Sequence, residues 1–314
     1  MIEGIPKISV LIICYKQEEL IKRAINSLLA QKDYIYEICV SDDCSPDRTW
    51  EVLQEYDRQY PGLFKLHRNE PNVGIFENVE YTWTMPTGDI VYSLAGDDEC
   101  GEGWFKTVVE YIQKNDIDYK NELFCIYGDY LTVYPNGDSI REKNNLISKG
   151  YDPLKLALRG LISNRSSCFS INVLRKYIKV SQGRSHIAED AQDRQLQLFS
   201  QKNYYIPHIG NIYYAKVGVS IHIDQSVFEE RAQIHNYSID FLKSQGVTFD
   251  IEDEKHLNRL NIYGVMEKPD HTIWDIIKAF WGSYEKKYGL RSLKLRNLMF
   301  AVARRLPHKK AIHW

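Results

Sequence analysis

Three features are scarce in this sequence: long apolar runs, paired cysteines and an excess of charge of one sign. No segment approaches roughly 18 uninterrupted apolar residues, so the sequence predicts no transmembrane helix. The six cysteines form no CxxC pair and lack metal-ligand spacing, which argues against a zinc site and a disulfide framework. The formal net charge of −2 argues against a chain devoted as a whole to nucleic acid.

The N-terminal apolar run is predicted to be a buried strand rather than a signal peptide. Glu3 and Pro6 precede it, only Lys7 flanks it as a base, and no small-residue cleavage site follows. Several cysteines lie inside apolar stretches, which is typical of reduced, buried thiols. We therefore expect a cytoplasmic protein.

Strand and helix patterns alternate along the first third of the chain. The β-branched run ISVLIIC, which ends at Cys14, is typical of a strand covered on both faces. Short strands over Glu37–Val40 and Phe64–His67 are each followed by a helical pattern. For the helix after the second strand, Ser45 is the expected N-cap and Pro46 the first-turn residue. This alternation predicts an α/β fold with a parallel, doubly wound sheet.

Polar loops follow three of the predicted strands. They span Tyr15–Glu18, Asp42–Asp47 and Asp97–Glu99. Ligands of open α/β sheets bind at the carboxyl ends of the strands, so these loops are expected to converge on one ligand. Adjacent carboxylates at Asp97 and Asp98 suit Mg²⁺ or Mn²⁺ bridged to a diphosphate. The same pair is also typical of a solvated turn or a helix N-cap.

The loop residues and their order resemble family 2 glycosyltransferases, which have the GT-A fold. The segments that carry the resemblance are ISVLIICYKQEELIKRAINSLLAQ, EICVSDDCSPDRT and NVGIFENVEYTWTMPTGDIVYSLAGDDE. The resemblance is clear over residues 7–105 and weak over 160–222. It implies a Rossmann-like, mostly parallel sheet and metal-dependent, inverting transfer of a sugar, of hexosyltransferase type. The implied donor is a nucleotide-sugar, most often a UDP-sugar, and the implied cofactor is Mn²⁺ or Mg²⁺.

The resemblance also implies roles for individual residues. Tyr15 matches a residue that contacts the base or ribose, Asp42 matches a carboxylate that accepts a hydrogen bond from uracil, and Asp98 matches the direct metal ligand. The remaining residues assigned to nucleotide-sugar binding are Glu18, Asn72, Gly74, Asn78 and Asp97. Three positions depart from the family pattern: Lys16 replaces a common Asn, Cys44 replaces a Gly, and Gly96 stands where the first acid of an Asp-x-Asp often lies. A Cβ at position 44 is unfavourable if that residue needs a positive φ.

An inverting transfer also needs a base that removes the proton of the acceptor hydroxyl. Asp190, which follows Glu189 at a predicted helix start, matches the family's base, and the helix dipole favours its ionised form. The pair could instead cap that helix, and His186 is a rival base. The Gln-x-x-Arg-Trp motif of processive members is missing after Asp190, so we expect addition of a single sugar.

The segment from Asn211 to Ile223 resembles the part of the family that closes over the diphosphate. Lys216 is its candidate cation, with a solvated surface lysine as the alternative, and His222 is a weaker candidate metal ligand. Upstream, Asn136-Gly137 predicts a hairpin turn.

Two regions are expected: a glycosyltransferase domain over 1–224 and a helical C-terminal region over 225–314. The nucleotide-sugar half of the first spans about 1–105, and the acceptor half about 106–224. The tail KKYGLRSLKLRNLMFAVARRLPHKK is basic and apolar, so it predicts either a helix on an anionic membrane surface or one packed on the protein.

The expected partners are a nucleotide-sugar and a glycan or lipid-linked acceptor, in surface polysaccharide or glycolipid biosynthesis, at the inner membrane face if the tail binds there. No nucleic acid partner is expected, because no reader motif accompanies the basic tail. The alternatives are a sugar-phosphate nucleotidyltransferase, which would need a Gly-rich loop after the first strand, and a non-catalytic carbohydrate- or nucleotide-binding relative.

Overall fold

The computed structural model describes residues 5–145, 147–149, 165–181 and 200–215, together with positions 217, 243, 244, 246, 248 and 274. The chain divides into two compact units, Met1–Ile223 and Asp224–Trp314, and every strand named below lies in the first. A search of the described residues finds no helix with the length and apolar character needed to cross a membrane. The predicted C-terminal helices and basic tail lie outside the described part of the chain.

The first half of the fold is a parallel sheet, as the sequence predicts. Its strands are β1 (Ile8–Cys14), β2 (Ile35–Asp42), β3 (Phe64–Arg68) and β4 (Ile90–Ala95), in the spatial order β3-β2-β1-β4. The connecting helices are α1 (Leu20–Leu29), α2 (Thr49–Gln59) and α3 (Ile75–Thr84), and a 3-10 turn spans Lys32–Tyr34. Strand β1 is buried along almost its whole length because helices cover both faces of such a sheet.

The second half of the fold is a mixed sheet joined to the first through β4. It contains β5 (Glu99–Cys100), α4 (Trp104–Lys114), β6 (Phe124–Val133), β7 (Ser139–Glu142), β8 (Ser167–Ser170), α5 (Ile171–Ser181) and β9 (Lys202–Tyr214), with a 3-10 turn at Ile147–Lys149. Strand β8 runs antiparallel between β4 and β6, β9 runs parallel to β6, and β5 pairs with β9. Strands β6 and β9 therefore point in the same direction as the four parallel strands.

The hairpin predicted at Asn136-Gly137 is confirmed, since β6 and β7 pair antiparallel on either side of it. Gly137 has a φ of 89°, which a residue without a Cβ adopts readily. The predicted N-cap of α2 is wrong. That helix begins at Thr49 rather than at Pro46, because the Ser45 hydroxyl bonds Asp42 while the Asp47 carboxylate accepts from Thr49 N at 3.1 Å.

A single tryptophan fixes the distance between α4 and the strands of the mixed half. Trp104 is fully buried, and a Cβ at Gly128 on β6 or Gly210 on β9 would lie 2.8 Å from its indole ring. Both glycines are therefore required for close packing. Asp129 and Asn211, which directly follow these glycines, therefore have fixed positions near the carboxyl edge of the sheet.

Candidate functional site

The three polar loops of the sequence analysis lie at one edge of the sheet. In the parallel register, Cys14 pairs with Asp42 and Ile13 pairs with Ala95, so β1, β2 and β4 end side by side. The expected convergence of these loops is confirmed. Because β9 has the same direction, its last residue, Tyr214, reaches the same edge.

The first two loops are joined by hydrogen bonds. Lys16 N donates to Ser45 Oγ at 3.0 Å, and Gln17 N donates to Thr49 Oγ1 at 2.8 Å. The Glu18 carboxylate accepts from the backbone N of Arg48 at 3.0 Å. Glu18 thus connects the loop after β1 to the loop after β2. Tyr15 keeps a partly exposed ring, and Lys16 Nζ lies 5.1 Å from its centroid.

Asp42 is fully buried where β2 ends. Its carboxylate accepts from Ser45 N at 3.0 Å and from Ser45 Oγ, and Arg68 Nε lies 3.4 Å from Oδ2. Burial raises the pKa of Asp42 in spite of these partners. The side chain therefore shapes a tight turn in which Cys44 has a φ of 56°. A left-handed residue with a Cβ costs about 1–2 kcal/mol, which the contacts of this turn offset.

Asp43 organises the segment that follows β3, a role that the sequence analysis missed. Its carboxylate accepts from Asn69 Nδ2 at 3.0 Å and from the backbone N of Val73 and of Gly74 at 2.9 Å each. Its carbonyl oxygen accepts from Asn72 Nδ2 at 2.6 Å. Two features of the sequence could have indicated this role: the turn-forming cluster Asn69–Gly74 and the presence of a second acid, Asp43, directly after Asp42. These contacts bring the loop over the edge of β2.

Among the residues predicted in this segment, Asn72 is exposed and Asn78 is buried. The Asn78 side chain accepts from Ser41 Oγ at 2.5 Å and donates to Ser41 O at 3.2 Å. It belongs to the internal network beneath the loop. Gly74 has a φ of 90° and is the N-cap residue of α3.

Asp97 and Asp98 form the acidic end of β4. Asp98 is 5% exposed, and its Oδ1 accepts from the backbone N of Tyr214 at 3.2 Å. Burial, and then the charge of Asp97, raise the pKa of Asp98 to about 7. Burial also raises the pKa of Asp97. Two neighbouring carboxylates with raised pKa values are a typical signature of a functional site, because a bound cation relieves their repulsion.

Arg23 holds the acidic loop from the side of α1, which the sequence analysis did not predict. Its guanidinium donates to Asp97 O at 2.5 Å and stacks 3.6 Å from the centroid of Tyr214. The Tyr214 hydroxyl donates to Glu99 at 2.6 Å. The position of the carboxylates is thus fixed by one helix and by the end of β9.

Gly96 departs from the Asp-x-Asp pattern for a steric reason. A Cβ at this position would overlap Gln17 Oε1 and would lie 3.1 Å from Ile13 O. The Gln17 side chain is buried and fills the space into which a residue at position 96 would extend. At position 96, the acidic loop is therefore bordered by the side-chain amide of Gln17 and carries no acid.

The acidic loop fits a divalent cation that also contacts a substrate. Within the described residues, no three His, Cys, Asp or Glu side chains are grouped so that they could hold a metal. The protein would supply the Asp97 and Asp98 carboxylates, and phosphate oxygens and water would complete the shell, as is usual for Mg²⁺. The charge of Asp97, which raises the pKa of Asp98, supports this fit.

Several predicted residues lie outside the part of the chain that the structure describes. They are the candidate base Asp190 with its neighbours Glu189 and His186, the candidate cation Lys216, and His222.

Comparison with known proteins agrees with this geometry. The sequence profile described as glycosyl transferase family 2 matches residues 9–170, just over half of the 314 residues. A relative in Mycoplasma pneumoniae, named processive diacylglycerol beta-glycosyltransferase, is 30% identical over 113 residues, which are 35% of this chain and 33% of that protein. The chain spans about a quarter to a third of the length of such curated relatives.

Two solved structures show the same fold. Staphylococcus aureus TarS 1-349, in complex with UDP-GlcNAc, superposes with a TM-score of 0.58 at 14% identity and covers 88% of each chain. The mannosyltransferase PcManGT from Pyrobaculum calidifontis, in complex with GDP-Man and Mn²⁺, gives a TM-score of 0.53 at 15% identity, covering 97% of this chain and 82% of that one. The predicted GT-A fold is confirmed.

Proposed function

Because the chain belongs to glycosyl transferase family 2, we propose that it transfers one sugar from a nucleotide-sugar to an acceptor hydroxyl with inversion at the anomeric carbon. The observation that carries this proposal is the acidic pair of the half-buried Asp97 and the buried Asp98, which lies beside the joined loops of β1 and β2. Acids at the carboxyl edge of β4 and a partly exposed Tyr15 on the neighbouring strand suit the two ends of a nucleoside diphosphate.

The acidic pair would hold Mn²⁺ or Mg²⁺, with Asp98 as the direct ligand. When bound, the cation supplies positive charge to the leaving diphosphate. The protein keeps Asp98 in place through Tyr214 N and keeps Asp97 in place through Arg23. The Mn²⁺ complex of the Pyrobaculum mannosyltransferase supports this assignment.

The nucleotide would lie over the loops of β1 and β2. Tyr15 offers its ring to the base or ribose, and the exposed Asn72 and Gly74 border the same space. Asp42, Glu18 and Asn78 act mainly by holding the loops, because their polar atoms already bond neighbouring residues. The uracil contact that the family resemblance implies for Asp42 would need its fully buried carboxylate to become accessible when the donor binds.

In the reaction, the acceptor oxygen bonds to the anomeric carbon while the bond from that carbon to the diphosphate oxygen breaks. The electron pair leaves with the diphosphate, and the hydroxyl proton passes to Asp190. Lys216 is proposed to neutralise the diphosphate. The missing Gln-x-x-Arg-Trp motif supports transfer of a single sugar, although the Mycoplasma relative is named processive. The length of the product distinguishes these outcomes.

The proposed acceptor is a glycan or a lipid-linked sugar in surface polysaccharide or glycolipid biosynthesis, and the proposed location is cytoplasmic. The name of the Mycoplasma relative, which includes diacylglycerol, supports a lipid acceptor. The basic tail would then bring the enzyme to an anionic membrane surface. Removal of residues from Lys286 onward is expected to release the protein from anionic vesicles while activity on a soluble acceptor persists; unchanged vesicle binding would contradict the role of the tail.

The first test is hydrolysis of a panel of UDP-, GDP- and dTDP-sugars with Mn²⁺, repeated with a chelator. Slow, chelator-sensitive release of one nucleotide is expected, and it would identify the donor. Binding of UDP without turnover of any donor, even with candidate acceptors present, would instead favour a non-catalytic nucleotide-binding protein. Formation of a nucleotide-sugar from a sugar phosphate would favour a nucleotidyltransferase.

A further inference from the structure

Arg165 lies at the carboxyl edge of the sheet although it precedes a strand. Strand β8 runs antiparallel to β4, with Ser170 opposite Ile90 and Cys168 opposite Tyr92. The residues before β8 therefore lie beside the residues that follow β4. This arrangement brings Arg165 close to the acidic loop from the acceptor half of the fold.

Aromatic side chains support the guanidinium of Arg165. Its Cζ lies 3.8 Å from the ring centroid of Tyr213 on β9 and 5.7 Å from that of Tyr130 on β6. The next residue, Ser166, is fixed by a bond from Gly128 N to its carbonyl oxygen at 2.6 Å. Arg165 is thus exposed to solvent but held on a rigid support. An arginine stacked on an aromatic face is oriented by the ring and keeps its positive charge.

The charge balance of the acidic loop calls for such a cation. Two carboxylates balance one divalent cation, so a bound diphosphate needs further positive charge, of which the proposed Lys216 would supply only a single charge. Arg165 stacks on Tyr213, and the next residue of β9, Tyr214, donates its backbone N–H to Asp98 at 3.2 Å, so the guanidinium lies beside the residue that contacts the acidic pair. A diphosphate coordinated beside these acids would come within the field of the guanidinium.

We propose that Arg165, supported by Tyr213 and Tyr130, binds the diphosphate of the donor and stabilises it as it leaves. The inference rests on the proposed function and adds a residue to it. When the bond to the sugar breaks, the diphosphate gains a negative charge, so the interaction with Arg165 strengthens towards the transition state. Tyr213 acts as a positioning residue, because it orients the guanidinium through its ring.

The test compares the binding of UDP and of uridine, both with Mn²⁺, to the wild type and to Arg165→Gln. If UDP does not bind the wild type, GDP and guanosine replace the pair. The variant is expected to bind the nucleoside diphosphate about 10- to 100-fold more weakly, as for loss of a hydrogen-bonded charge, and to bind the nucleoside unchanged. Arg165→Lys should recover part of the affinity, and Tyr213→Phe should retain it because the ring remains.

Arg175→Gln is the matched control. It removes the same charge from an exposed position on α5, which follows β8 at the opposite edge of the sheet, and nucleotide binding should not change. If Arg165 only neutralised the acidic pair, Arg165→Gln would bind Mn²⁺ alone more tightly and would bind the nucleoside diphosphate at least as well. That result overturns the inference and leaves the proposed function intact. Failure of the wild type to bind UDP, GDP and dTDP alike overturns both.

Discussion

Asp98→Asn is expected to make the metal-free protein more stable while it removes metal-dependent activity. The Asp98 pKa lies at about 7 rather than at its ordinary value of 3.8, first because the carboxyl is buried and then because Asp97 is adjacent. At alkaline pH, folding without a cation therefore keeps an unfavourable charge inside the site. Asparagine has nearly the same shape, carries no charge, and retains an oxygen that can accept from Tyr214 N.

The size and pH dependence of the effect follow from proton linkage. A shift of about three pKa units corresponds to about 4 kcal/mol at most. The folded protein binds more protons than the unfolded chain between pH 4 and about 7, so the stability of the wild type falls as the pH rises through this range. The gain from Asp98→Asn is therefore largest at pH 8 and disappears towards pH 4.

The assay is thermal denaturation in chelator at pH 8 and at pH 5, followed by titration with Mn²⁺. Each kcal/mol should raise the midpoint by about 2–4 °C. Mn²⁺ should stabilise the wild type at pH 8 by mass action and should leave Asp98→Asn unaffected. The control is Glu55→Gln, which removes an exposed carboxylate on α2. An Asp98→Asn protein that is no more stable than the wild type at pH 8, or that gains equally at pH 5, would refute the reasoning.

Three further predictions concern the loop, the base and the opposite edge of the sheet. Gly96→Ala should lose about 1–3 kcal/mol of unfolding free energy in denaturant titrations, because its Cβ overlaps Gln17 Oε1. Adding Gln17→Ala to this variant should restore part of the lost stability. If the double variant lost as much stability as Gly96→Ala alone, the clash would lie elsewhere. Asp190→Asn should lower turnover about 10²–10⁴-fold with donor affinity unchanged, as for removal of a general base; weakened donor binding with normal turnover would make Asp190 a structural cap. Glu37→Gln should lose about 1–3 kcal/mol, since Glu37 accepts from Ser9 Oγ at 2.6 Å and pairs with Lys65 Nζ at 2.6 Å. Burial opposes ionisation of Glu37, but hydrogen bonds from Lys65, Ser9 and Thr87 outweigh this effect and lower its pKa. The stabilisation by Glu37 should therefore be present above about pH 4.3 and should be lost as the pH falls through the pKa of the folded state. If the activity per folded molecule also fell in Glu37→Gln, a purely structural role would be contradicted.

The parallel half of the fold and the location of the acidic pair follow from the amino-acid sequence alone. Continuous β-branched runs such as ISVLIIC, each followed by a helical period, are compatible with strands covered on both faces and with little else. Once β1, β2 and β4 are parallel, their carboxyl ends must meet at one edge, so the loops at Tyr15, Asp42 and Asp97 converge without any knowledge of side-chain contacts. Both features follow from the spacing of apolar residues along the chain and from the direction of the strands.

The side-chain contacts at that edge depend on tertiary packing. Arg23 contacts Asp97, Tyr214 contacts Asp98, and Arg165 lies at the same edge because the strand that follows it, β8, runs antiparallel to β4. Asp43, for which the sequence predicted no role, holds the segment after β3 through the backbone N of Val73 and of Gly74. The Asp98 carboxylate likewise accepts from the backbone N of Tyr214, 116 positions away, and this bond lowers its pKa against the larger effect of burial. Such contacts join residues far apart in the chain, and local periodicity carries no information about which distant side chains will meet.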